Sequence, residues 1–291
     1  MSSKNVVILG TFDGVHLGHQ RIIKDAVSYA KRNQLRCFAT TFDPHPQQFI
    51  FGKNKIKLLT TLEERIAMIK KLGVDEVKVL KFNKRLRELE CEEFIEKHIV
   101  CELKGAIVFV GYDYSFGKNR CGRVKELRRF GEKYGFIVKM VKPFKTDEAV
   151  IKSSFIRELL DNGRFRKALT LLGHPYNLSG RVVKGSGKGR KLGFPTANLL
   201  IDTDKLIPVH GVYIGIVWHR PCLVNIGICP TFGINIPSVE VFIPKFHGDL
   251  YGKILEIHLF KRLRNEIKFP NSNLLREQVL KDIEDCLNFK F

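Results

Sequence analysis

Two histidines three residues apart, His16 and His19, stand in the string GTFDGVHLGH, whose glycines recur as Gly10, Gly14 and Gly18. Glycine lets a backbone turn tightly and come close to a ligand, and a helix opening after such a turn aims free N–H groups and a positive dipole end at an anion. On one helical face the two imidazoles could both donate to phosphate oxygens, with Thr11, Phe12 and Asp13 filling the turn before them. The plainer reading, one loop histidine and one helix-cap histidine, is weakened by the glycine spacing. A metal reading of His-x-x-His lacks a nearby cysteine or third histidine to complete the site.

Other residues suit phosphate chemistry more loosely. Ser153 and Ser154 precede Ile156 and Arg157, a set that would gather two hydroxyls, a helix start and a guanidinium around a triphosphate. An ordinary N-cap beside a surface arginine fits the same residues. The segment KGSGKGRK at 184–191, with Gly185, Gly189 and Arg190, matches neither G-x-x-x-x-G-K-[ST] nor G-x-G-x-x-G, and alone it reads as a basic, flexible hairpin. Thr196 and Asn198 give it more weight: in an extended chain they share a face and offer a hydroxyl and an amide oxygen, hard ligands suited to Mg²⁺ shared with ATP. Glu240 stands in the apolar run 239–243, where a carboxylate needs a reason, the plain one being the outward, polar side of a strand.

These residues need elements to hold them. Between 5 and 142, β-branched runs at 5–9, 36–42, 76–82, 106–111 and 136–141 alternate with helical spacing at 20–32, 62–72, 91–103 and 124–134, and Thr61 with Glu64 forms a plausible capping box. Repeated strand, helix, strand predicts a parallel α/β sheet with right-handed crossovers. Helices are expected at 154–162 and 164–172, ending at Gly173, and 174–179 reads as a linker. Alternation of period two then predicts strands at 180–184, 212–218, 222–226, 239–243 and 255–260, the spacing of a small antiparallel barrel, closed by an amphipathic helix at 274–287. The expected division is 1–173 and 174–291.

Length and composition bound the answer. A chain of 291 residues, 44% hydrophobic and 27% charged, has material for two cores and excludes disordered, collagen-like or disulfide-scaffold proteins. Fifty Lys and Arg against 30 Asp and Glu leave a formal charge of +20, which favours anionic partners. Seven cysteines with no C-x-x-C pair suggest neither disulfides nor a zinc ribbon, so a reduced cytoplasm is the expected setting. Lys4 followed by four apolar residues falls short of a signal-peptide core, and no apolar run suits a membrane span. Basic stretches at 118–129 and 261–268 could mark a nucleic-acid surface, but no nucleic-acid-binding motif accompanies them.

The string GTFDGVHLGH resembles the signature of the HxGH-type nucleotidyltransferases. In order along the chain follow TFDPHP at 41–46, GYDYSFGKNR at 111–120, IKSSFIR at 151–157, GRKLGFPTAN at 189–198, NIGICPTFG at 225–233 and VEVFIPKFHGDLYGK at 239–253, which together resemble prokaryotic bifunctional riboflavin kinase/FAD synthetases. The resemblance implies a Rossmann-like nucleotidyltransferase domain that moves AMP from ATP to FMN, and a barrel that phosphorylates riboflavin. It gives Gly10, Thr11, Phe12, Asp13, Gly14, His16, Gly18 and His19, with the segment around Ser153, Ser154 and Arg157, to ATP and its phosphates, although the pattern usually has Ser where this chain has Lys152. It gives Gly185, Gly189 and Arg190 to the kinase's ATP, Thr196 and Asn198 to Mg²⁺, and makes Glu240 the base that takes the proton of the ribityl 5'-hydroxyl. Asp43, Pro44, His45, Asp113, Phe116, Arg264, Glu266 and Phe269 become expected flavin contacts. The implied partners are small molecules, riboflavin, FMN and ATP, with no nucleic acid and no membrane. A transferase for another phosphorylated metabolite would leave GRKLGFPTAN and VEVF unexplained, and a basic binding module would leave all of these motifs so.

Overall fold

The computed structural model describes residues 4–144, 150–185, 187–231 and 234–291. Packing divides the chain into two compact units, Met1–Ser153 and Ser154–Phe291.

The first unit is a five-stranded parallel sheet of β1 (Asn5–Leu9), β2 (Cys37–Asp43), β3 (Glu76–Lys81), β4 (Gly105–Gly111) and β5 (Ile137–Val141), in the order β3-β2-β1-β4-β5. Central β1 is buried throughout, as NVVIL requires, since its alternate side chains feed two covered faces. Val6 and Ile8 join Ala39, Ile107 and Phe109 against Ile23, Ala26 and Val27 of α1 (Leu17–Arg32). Val7 and Leu9 join Val108 and Val110 on the other side. There they meet Phe94, Ile99, Leu127 and Phe130, from the region of α5 (Cys91–Phe94) and α6 (Val124–Tyr134). Three further helices are α2 (Pro46–Phe51), α3 (Leu62–Lys71) and α4 (Lys84–Arg87). The capping box forms: Glu64 N donates to Thr61 Oγ1 at 3.2 Å and Thr61 N to Glu64 Oε2 at 3.0 Å. The expected single helix at 91–103 is instead α5 running into a π-helix, Ile95–Glu102.

One cysteine expectation is overturned. Cys91 and Cys121 form a disulfide, 30 residues apart in sequence, because the loop after β4 folds back on the start of α5, where Gly117 lies against Cys91. No sequence spacing announces a pair that only the fold brings together.

The second unit begins with α7 (Ser153–Asp161) and α8 (Phe165–Leu172), which pack on a closed barrel of order β10-β7-β6-β11-β8-β9, with Phe165 edge-on to Tyr213 at 5.0 Å. Its strands are β6 (Tyr176–Val183), β7 (Ala197–Ile201), β8 (Gly211–Val217), β9 (Arg220–Thr231), β10 (Ile234–Phe242) and β11 (Ile254–Arg264). The expected linker at 174–179 is largely strand: Tyr176, Leu178, Gly180 and Val182 are buried, alternating with Asn177, Ser179 and Arg181. Pro175 punctuates the chain one residue before that alternation begins. The basic segment also differs from a hairpin, since α9 (Lys188–Lys191) forms there, while Ser186 lies outside the described residues. A last helix, α10 (Ser272–Asn288), covers part of the barrel's outer surface through Cys286 and Ile283, set against Val212, Ile214 and Leu223.

Candidate active sites

In the first unit the chain steps from β1 outward through β2 and β3, then returns to the other side of β1 as β4. The connections at the carboxyl ends of β1 and β4 therefore part, and in open parallel sheets that crevice is where ligands bind. GTFDGVHLGH leaves the end of β1, TFDPHP runs off β2 and GYDYSF off β4, so three separate motifs reach the sheet's carboxyl edge.

The first loop is tightly held. Gly14 has φ +78, and Phe12 and Val15 also take positive φ, at +55 and +38, with the ring of Phe12 lying over Gly10. Asp13 is buried and accepts from Leu59 N (3.1 Å), Thr60 N (3.0 Å) and Thr60 Oγ1 (3.1 Å), so its carboxylate anchors the loop. Gly14 N donates to Thr60 Oγ1 at 3.0 Å, and the carbonyl of Thr11 accepts from Thr41 Oγ1 at 2.8 Å. Ser153, the last residue of the first unit, donates through Oγ to the carbonyl of Asp13 at 2.9 Å.

His16 is the N-cap of α1 and accepts from His19 N through Nδ1 at 3.4 Å, while Gly18 lies beside its ring. The imidazoles of His16 and His19 stack with centroids 3.6 Å apart and 18° between planes, and the edge of Phe12 closes on His19 at 5.3 Å. His19 Nδ1 is buried and has no hydrogen-bond partner among the described residues. Burial drives the His19 pKa well below its ordinary value, and the neighbouring charges of His16 and Arg65 push the same way. The site thus presents aligned imidazoles at the positive end of a 16-residue helix.

Other expected residues are placed differently from one another. Asp43 is exposed and precedes Pro44 through a cis peptide bond, and His45 is buried as the N-cap of α2, accepting from Gln47 N at 3.2 Å. Asp113 is exposed, whereas Phe116 is a core residue packed on Phe94 and Tyr114, so it shapes its loop from beneath. Lys152 and Ser154 are exposed; Arg157 lies one turn before Asp161, whose carboxyl is pushed up by burial and pulled down by that guanidinium. Arg65, wholly buried among these loops, escapes a sequence reading because an arginine in an amphipathic helix reads as surface.

In the barrel, Glu240 on β10 stands directly opposite Asn198 on β7 and Asn225 on β9. Opposed residues share a face, and Val239 and Val241 turn to the interior, so the three polar side chains form one row on the outside. The two readings of Glu240 are therefore compatible: it points out of the barrel, onto the face where the other polar groups gather. Thr196 Oγ1 donates to Glu240 Oε2 at 3.0 Å. A Cβ on Gly185 would lie 2.1 Å from Asn198 Nδ2, so that glycine lets the amide sit flat on the backbone. The carbonyl of Gly189 accepts from Phe194 N at 2.9 Å, and Arg190, Thr196, Phe246, Asp249 and Tyr251 line a cavity of about 90 Å³. A larger groove of about 460 Å³ lies between α6 and β5, away from all these residues.

The Glu266 carboxylate lies over Gly227, where a Cβ would come within 2.8 Å of its Oε1, and Phe269 is half-buried. Arg264 is committed to α10: Nε meets both carboxylate oxygens of Asp282 at 3.0 Å and Nη2 meets Oδ2 at 2.6 Å. Asn225 was not anticipated, because only the strand register sets it beside Glu240. Hydroxyl, amide and carboxylate oxygens on Thr196, Asn198 and Glu240 are hard donors of the type Mg²⁺ takes.

The chain thus carries a parallel sheet with a histidine pair at its carboxyl edge and, after it in sequence, a barrel with an outward polar row. An FAD synthetase family model matches residues 1–155 and a riboflavin kinase family model residues 172–290. The bifunctional riboflavin kinase/FMN adenylyltransferase of Bacillus subtilis is 36% identical over 99% of this chain and 93% of its own length. That of Buchnera aphidicola from Schizaphis graminum is 35% identical over 98% and 93%. A crystal structure described as a macrolide-efflux protein from Streptococcus pneumoniae superposes with a TM-score of 0.90 at 29% identity, covering 100% of this chain and 96% of the other. Among the described residues here, no helix is long and apolar enough to cross a membrane. The chain belongs to the bifunctional riboflavin kinase/FMN adenylyltransferase family, and its two domains carry those two activities.

Proposed function

We propose that the two reactions run at the two separate sites described, with the functional division after Gly173. In the kinase, Glu240 takes the proton of the riboflavin 5'-hydroxyl as that oxygen attacks the γ-phosphorus of ATP, the bond from the γ-phosphorus to the β-bridging oxygen breaks and ADP leaves, while Arg190 and the glycine backbone at 185 and 189 hold the phosphates. A carboxylate base and charge neutralisation are the main demands of such a transfer. Mg²⁺ bound by Thr196 and Asn198 would supply that neutralisation. The hydrogen bond from Thr196 to Glu240 at 3.0 Å carries this reading, since it ties the base to the phosphate-side cluster.

In the adenylyltransferase, the phosphate of FMN attacks the α-phosphorus of a second ATP, and pyrophosphate leaves. His16 and His19 stabilise the charge that develops on the phosphate oxygens, and no covalent enzyme intermediate is needed. Ser153, Ser154 and Arg157 serve the ATP phosphates; Asp43, Pro44, His45 and Asp113 border the flavin in this domain, and Glu266 and Phe269 border it in the kinase. Arg264 and Phe116 act by holding those borders in place. The chain works on small molecules in a cytoplasmic setting, where both steps find ATP. Its basic stretches are engaged in part internally, as where Lys118 lies 3.7 Å from both Glu88 and Glu90. Chromatography of products after incubation with riboflavin, ATP and Mg²⁺ tests the scheme: FMN should appear first and FAD follow, and FAD without prior FMN would refute it.

A further inference from the structure

Arg65 lies in the first two turns of α3 and is 1% exposed. Its Nη2 donates to the carbonyl of Phe42, at the end of β2, at 3.1 Å. Its Nε and Nη1 are buried and have no hydrogen-bond partner among the described residues. Asp13 from the loop after β1, Asp43 from β2 and Glu63 from α3 attract the guanidinium, but none of them bonds those two nitrogens. The Asp13 carboxylate serves Leu59 and Thr60, and Glu64 serves the capping box at Thr61. A buried cation without a bonded counter-charge is costly, and a single carbonyl contact does not call for a guanidinium. His19 Nδ1 is likewise buried and without a partner among the described residues, His16 stacks on its ring, and the Arg65 charge acts on it.

We propose that Arg65 is a positioning residue for adenylyl transfer, a permanent buried cation at the end of β2 whose two unpartnered nitrogens leave its charge free to act on His19 and to draw the ATP phosphates to the site. Guanidinium stays charged across the working pH range, so its attraction for a polyphosphate does not depend on pH. The same charge disfavours a second proton on His19 and keeps that ring neutral, able to donate through one nitrogen, in the free enzyme. Arg65 also pins the end of β2, from which Asp43 and Pro44 depart, so one side chain fixes the relation between the phosphate loop and the flavin loop. The inference rests on the reading of His19 as a group of the adenylyl-transfer site.

The test follows His19 by NMR through a pH titration of the full chain, beside adenylylation kinetics. In Arg65→Gln the His19 midpoint should rise, the acid limb of adenylylation should move up with it, and KM for ATP should rise roughly tenfold. In Arg65→Lys, which keeps the charge and loses the fork, the midpoint should stay near that of the parent and KM should recover most of the loss. A folded Gln variant with an unmoved His19 midpoint and an unchanged KM overturns the proposal. If the Gln variant does not fold, the Lys variant decides: a parental profile supports the charge role, and a displaced midpoint with a tenfold KM loss overturns it. His19→Ala, assayed alongside, separates the two ideas, because full activity there removes His19 from the chemistry, while the titration still reports whether Arg65 controls its proton.

Discussion

The two sites solve phosphate handling with opposite architecture. The proposed adenylyltransferase site takes its histidines from one ten-residue string, 10–19, where the loop after β1 opens into α1, and the helix dipole adds a positive end beside them. The proposed kinase site takes Thr196 and Asn198, Glu240 and Asn225 from separate stretches of chain, and only the barrel's register makes them neighbours. A site built on one loop can be preserved by holding that loop, as Asp13 does through Thr60; a site built across strands is preserved by holding the whole barrel.

The largest effect that can break this comparison is at Glu240. Glu240→Gln keeps the shape and loses nearly all basicity, so riboflavin phosphorylation should fall by roughly 10² to 10⁴, while the same protein given FMN makes FAD at close to the parental rate. Loss of both activities in a folded variant would mean that the sites are coupled. Next comes the reciprocal change: His16→Ala or His19→Ala should lower FMN adenylylation by roughly 10² and leave riboflavin phosphorylation intact, so that product stops at FMN. Near-normal FAD from the double variant would take the pair out of the chemistry.

Stability should divide in the same way. The Cys91–Cys121 disulfide closes a loop of about 30 residues in the first unit, so Cys121→Ser, or reduction, should destabilise that unit by about 3–4 kcal/mol. The barrel, whose Cys222 and Cys286 are buried free thiols with raised pKa values, should melt unchanged. Equal shifts in both calorimetric transitions would contradict this. The smallest effect belongs to Lys152, exposed beside Ser153: Lys152→Ser should raise KM for ATP in adenylylation a few-fold, more at low salt, with kcat little altered. A large kcat loss at constant KM would place Lys152 in the chemistry instead.

By itself the sequence determined the fold class of both halves, because hydrophobic period reports which faces a local element must bury: NVVIL in a sheet covered twice, and Leu255, Ile257 and Leu259 alternating into a barrel. It also determined the histidine loop and the capping box of α3, whose partners lie within three residues of each other and need no long-range contact. Tertiary structure decided the rest. Arg65 could not be told from a surface arginine until β2 and the first loop closed over it, and Asp13 could not be told from a ligand group until Leu59 and Thr60 arrived at its oxygens. Phe116 became core and Arg264 became a partner of Asp282 for the same reason. Strand register put Asn225 beside Glu240, and the returning loop joined Cys121 to Cys91. Each of these turns on which distant segment supplies the neighbouring atoms, and no period or spacing along the chain encodes that.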